Sequence, residues 1–83
     1  MDLPLTLYRI DPGRNMRRYY SLSLQPSLFG DIALVRHWGR LGTTGQQIVE
    51  LHDGQGAALK ALQKLADAKR RRGYRANQTV AKS

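Results

Sequence analysis

The segment RRYYSLSLQ, residues 17–25, alternates. Tyr20, Leu22 and Leu24 fall on one side of an extended strand, and Tyr19, Ser21, Ser23 and Gln25 on the other. One apolar and one polar face is the pattern of an antiparallel strand covered on one side only. Before it, TLYRI (6–10) has the aromatic and β-branched character of a strand and runs into DPGRN, a turn. After it, PSLFGD (26–31) reads as a loop. IALVRHW (32–38) follows, its first four residues apolar on both faces as in a central strand. TTGQ turns the chain and QIVEL (47–51) supplies a fourth strand, so the last two strands form a hairpin.

The period then changes from two to between three and four. Asp53 is placed to cap a helix that begins near Gly54. Leu59, Leu62, Leu65, Ala66 and Ala68 form its apolar stripe. Lys69, Arg70, Arg71 and Arg72 crowd the last turn, where the helix dipole favours cations, and Gly73 supplies a left-handed stop. The pattern predicts an α+β domain over residues 1–75: an antiparallel sheet of about four strands with one long C-terminal helix on one face. Residues 76–83, short and polar, are expected to be a disordered tail.

Counting in twos along the third strand puts Ala33, Val35, His37, Gly39 and Leu41 on one side, and Ile32, Leu34, Arg36, Trp38 and Arg40 on the other. Two arginines need carboxylate partners to lie beneath a helix in a small core, and none is near in sequence. An unbroken strand is therefore expected to turn Ala33 and Val35 to the helix. Arg36, Trp38 and Arg40 would then stand on the open sheet face. A bulge at Gly39 would alter the count.

Charge sharpens this expectation. Fourteen Lys and Arg face six Asp and Glu, for a net charge of +8 in 83 residues. Such an excess gathers anions and favours nucleic acid or an acidic surface as partner. An open-face indole flanked by guanidinium groups can pack on a base or sugar while the arginines fork onto phosphate oxygens. The alternative is a half-buried Trp38 covered by the aliphatic stems of Arg36 and Arg40. No cysteine is present, so disulfides and thiolate metal sites are excluded. No apolar run is long enough to span a bilayer, and the first residues lack the marks of a leader, so a cytoplasmic location is expected.

WGRLGTTGQ resembles the signature of the WGR domain, with Trp38, Gly39 and Arg40 followed by Leu41, Gly42, Gly45 and Gln46. YYSLSL (19–24) is similar to the family's preceding strand, and a helix ending in RRRGY (70–74) to its closing helix. The likeness covers about residues 5–75 and suggests a stand-alone protein of bacterial type. In poly(ADP-ribose) polymerases the domain binds DNA at strand breaks and relays the event to a separate catalytic domain. The resemblance implies that Trp38 and Arg40 pack on the terminal nucleotide and contact its 5′ phosphate region, with Gly39 between them. Arg17 stands where those domains carry asparagine, and Asn15 is displaced by two. Arginine still suits phosphate, so the departure points to general binding rather than break sensing.

The remaining polar residues carry little chemistry. His37 and His52 lack the companions of a metal site, and His37 reads as a partly buried structural residue. Asp11, Asp31, Glu50 and Asp53 sit at turns, strand ends or a cap, without acid–base pairing. Arg14, Arg17, Arg18 and the run 69–72 with Arg75 read as solvated cations that contribute to binding as clusters, and Tyr74 as closing the core. The expected function is a non-catalytic nucleic-acid-binding module, DNA first, using Trp38, Gly39, Arg40, Arg36 and Arg17 without cofactor or metal. An adaptor for an acidic partner protein is the alternative. A partly apolar open face would also allow a homodimer.

Overall fold

The computed structural model describes residues 4–76. Four strands form one antiparallel sheet in the order β1-β2-β3-β4: β1 Leu5–Asp11, β2 Met16–Pro26, β3 Ile32–Arg40 and β4 Gln46–His52. A short 3-10 turn, Pro12–Arg14, joins β1 to β2, and Asn15 closes it in the left-handed conformation. The helix α1 spans Gln55–Arg71. The expected α+β architecture is therefore present. The expected tail falls, from residue 77 onward, outside the described residues.

Register decides what each face carries. Tyr20 pairs with Trp38, Leu22 with Arg36 and Leu24 with Leu34, without a bulge at Gly39. Paired residues in neighbouring strands project to the same side, so β3 turns Leu34, Arg36 and Trp38 to the face that holds Tyr20, Leu22 and Leu24. That face lies under α1. Leu7, Leu22 and Leu34 are fully buried there against Ala58, Ala66 and Tyr74, with Trp38, Leu62 and Leu65 packed around them. The strand-wise count holds, but the faces are exchanged. Ala33, Val35, His37 and Gly39 stand on the open side with Ser21 and Ser23, and Arg36, Trp38 and Arg40 do not. The missing carboxylate comes from β4: Arg36 Nη1 donates to Glu50 Oε2 at 2.6 Å.

The helix ends are unequal. Asp53 makes no capping hydrogen bond; Gly54 is the extended N-cap residue, and its carbonyl accepts from Ala58 N at 3.0 Å. At the other end Gly73 takes φ +98°. Its N–H donates to Arg70 O, and Tyr74 N–H to Lys69 O, the two bonds of a glycine-terminated Schellman closure. The chain then returns to the sheet. Tyr8 and Arg75 exchange backbone hydrogen bonds at 2.8 and 2.7 Å, which covers the middle of the outer edge of β1.

A core this small depends on few side chains. Leu34→Ala removes a fully buried leucine from the central strand and is expected to cost about 2–5 kcal/mol. Urea unfolding followed by far-UV circular dichroism checks it.

Candidate functional site

Trp38 stands near the end of β3, on the helix side of the sheet, beside the last turns of α1. One side of its indole packs towards the core, with the Tyr20 ring 6.4 Å away and tilted by 36°. The Arg36 guanidinium carbon lies 5.9 Å from the indole centroid. The rest of the indole forms a wall between two clefts. One cleft, of about 380 Å³, lies between Trp38, Arg36, the helix residues Leu65, Ala68 and Lys69, and the C-cap residue Arg72. The other, of about 450 Å³, is lined by Arg18, Arg40, Lys69 and Tyr74 together with Trp38 and Gly39. Among the described residues no carboxylate lines either cleft.

Lys69 lines both clefts. Its ammonium sits 4.5 Å from the Tyr20 ring centroid and 5.5 Å from that of Tyr74, a cation held over two aromatic faces. Burial lowers the Lys69 pKa below the ordinary lysine value, and the fields of Arg72, Arg36 and Arg18 lower it further. Those repulsions record how closely the positive charges gather. Arg36 behaves differently. Burial works against its charge, yet the Glu50 hydrogen bond, the nearby Tyr20 and the Glu50 charge outweigh it, and its pKa lies above the ordinary arginine value. Glu50 also faces His52, with Nε2 3.5 Å from its second oxygen.

The glycine of the Trp38-Gly39-Arg40 triplet has a packing role. A Cβ on Gly39 would lie 2.8 Å from Gly45 Cα, so the strand end and the hairpin turn touch backbone to backbone. Gly45 has φ +74°, and a Cβ there would overlap the Trp38 carbonyl and the Tyr19 hydroxyl. Tyr19 and His37 complete this clasp. Tyr19 Oη donates to Thr44 O at 3.2 Å, His37 Nε2 is 2.7 Å from that carbonyl, and the two rings meet edge to face. His37 is thus a partly buried structural residue, on the open side rather than beneath the helix.

Arg40 is positioned from the other hairpin. Its Nη1 donates to Asn15 O at 3.1 Å and its Nη2 to Asn15 Oδ1 at 3.2 Å. Arg17 is not brought into this group. It pairs with Ile10, on the opposite face from Arg18, which sits across from Arg40. Of the five expected residues, Trp38, Arg36 and Arg40 share one face, Gly39 contributes backbone to the rim, and Arg17 lies behind the sheet. Arg18, Lys69 and Arg72 take its place. Arg18 was detectable in the sequence, because it shares the alternation of Tyr20, Leu22 and Leu24. Lys69 is masked by its setting in a run of four cations.

The WGR domain family matches residues 3–81. The chain belongs to that family. It is 47% identical over 81 residues to the "Uncharacterized protein y4dW" of Sinorhizobium fredii. That stretch is 95% of this chain but 40% of the relative, so the chain spans less than half the relative's length. No solved structure matches at a significant level. Among the described residues no helix is long and apolar enough to cross a membrane. The WGR triplet therefore divides its work: Trp38 walls two basic clefts, Gly39 seats the hairpin turn, and Arg40 is held against Asn15.

The Arg36–Glu50 pair is half-buried, and removing one partner strands the other under the helix. Glu50→Ala is expected to cost about 1–2 kcal/mol, and combining it with Arg36→Met to recover most of that loss. A double-mutant cycle in urea measures the coupling.

Proposed function

We propose that this WGR domain is a non-catalytic module that binds nucleic acid, DNA in the first place, in the two clefts on either side of Trp38. One observation carries the reading. Arg18, Arg36 and Arg40 from the sheet, Lys69 from the helix and Arg72 from its C-cap converge around a partly exposed indole, and among the described residues no carboxylate lines the clefts. The role of the domain in poly(ADP-ribose) polymerases supports it. An indole surface can pack on an unpaired base or a sugar, worth about 1–3 kcal/mol per base. Arginines supply forked donors to phosphate oxygens, and Lys69 a point charge that phosphate would relieve of its neighbours' repulsion. The Asn15 contacts pre-order Arg40, which lowers the entropy lost when it grips an anion.

Arg40 and Trp38 lie at the same end of β3, beside the turn of the β3–β4 hairpin. An acidic patch on a partner protein is the other anion that these charges would accept.

Titration of the Trp38 emission with 5′-phosphorylated duplex, closed circular duplex and single strand separates these outcomes. DNA binding is expected to weaken with salt at a log–log slope of about −3 to −4, from about four neutralised phosphates. Arg18→Gln or Lys69→Gln is expected to reduce that slope by about 0.9, and Arg17→Gln to leave it least changed. Preference for the ended duplex identifies a strand terminus as the target. Absence of any response at low salt would overturn the nucleic-acid reading in favour of an acidic protein partner.

A further inference from the structure

The sheet has two outer edges, and the chain treats them differently. The edge of β1 is covered at its middle by the backbone exchange between Tyr8 and Arg75. Among the described residues nothing pairs with the outer edge of β4. Soluble proteins blunt such edges with lysine, proline or a bulge, because an unpaired row of N–H and C=O groups is a template for another strand. β4, QQIVELH, has none of these, although the chain carries 14 Lys and Arg. Its pairing with β3 is regular throughout, and its single carboxylate, Glu50, is already engaged by Arg36. Ile48, Val49 and Leu51 are 44%, 53% and 63% exposed.

Charge is segregated in the same sense. The open sheet face carries one charged side chain on its strands, Arg17, at the end remote from Leu51. The cations gather around Trp38 on the other face. An edge this neutral offers nothing to an acidic partner, whereas a second copy brings a strand of the same kind.

We propose that β4 pairs antiparallel with β4 of a second copy, centred on Val49, to join two sheets into one of eight strands. In that register Val49 meets its own copy, Gln47 meets Leu51, Ile48 meets Glu50 and Gln46 meets His52, so no two like charges stand opposite. The two-fold axis runs perpendicular to the sheet, so both helices and both Trp38 clefts lie on one face. The two β3 strands are then three strand spacings apart, about 14 Å, and each Trp38 lies three residues, about 10 Å, along the strand from the axis. The two indoles stand about 25 Å apart. The pairing holds whatever occupies the clefts, and it makes the assembly bivalent for any ligand long enough to reach both.

Sedimentation equilibrium of the full chain across the micromolar range, at moderate salt, tests it. The wild type is expected to rise with concentration from 9.4 kDa towards twice that mass. Val49→Lys, which sets two like charges together at the axis, is expected to remain at the monomer mass with an unchanged circular dichroism spectrum, while Val49→Thr still dimerises. Because the chain has no cysteine, Val49→Cys gives a single thiol per copy. Mild oxidation is expected to cross-link it efficiently, and to spare Ala33→Cys on the same face of β3. A wild type that stays monomeric, or a dimer that survives Val49→Lys, would overturn the pairing. Equal cross-linking at Ala33→Cys would overturn it in favour of stacked open faces.

Discussion

The Arg36–Glu50 hydrogen bond lets the central strand carry an arginine on its helix side. The two-residue period carries Arg36 to the same side as Leu34 and Trp38, which the core buries or half-buries, so its guanidinium needs a carboxylate there. Glu50, two residues along from the partner of Arg36 on β4, supplies that carboxylate at 2.6 Å. The arginine then keeps its charge under the edge of the helix, Leu34 fills the centre of the core, and Trp38 emerges beside α1. A buried-side ion pair is weak evidence for net stability, since desolvation offsets much of its attraction. Its effect here is to make an arginine compatible with the face that Leu34 and Trp38 occupy.

The consequence is that the indole and the cations are held by structure on several sides. The backbone contact of Gly39 with Gly45 fixes the hairpin turn next to Trp38, and Tyr19, His37 and Thr44 lock that turn from the opposite face. The Schellman closure at Gly73 brings Tyr74 back into the core, where its ring and that of Tyr20 hold the Lys69 ammonium. Three cationic side chains come from the sheet, one from the helix and one from its C-cap, so the charge cluster exists only when the helix is docked. Folding and assembly of the clefts are one event.

Elements were legible in the sequence because each is encoded locally. Alternation in residues 17–25 marks β2 and its buried face, the change of period marks α1, and a glycine followed by tyrosine marks its end. The facing of β3 was not legible, although its alternation was. Which side pairs with the Tyr20 side of β2 depends on the path of the five residues between the strands and on a carboxylate fourteen positions away from Arg36. Arg17 and Arg18 differ by one residue and therefore by a face, so a basic pair in the sequence yields a single cation at the site. Asp53 looked like a cap by residue type, but the extended Gly54 occupies the cap position.

The same long-range dependence explains how the triplet shared across this family can hold together in a small core. Tryptophan, glycine and arginine in succession point to alternate sides of a strand, so the indole and the guanidinium share one face and the hydrogen of the glycine occupies the other. Any side chain between them would collide with the hairpin turn, and the turn would no longer seat beside the indole. The glycine therefore constrains the far face of the sheet while the residues on either side of it form the near one. Because the near face gathers the cations, the far face and the outer edge of β4 are left almost free of charge. An edge without lysine, proline or bulge is not neutral in its consequences: it either finds a strand to pair with or exposes its backbone to every collision.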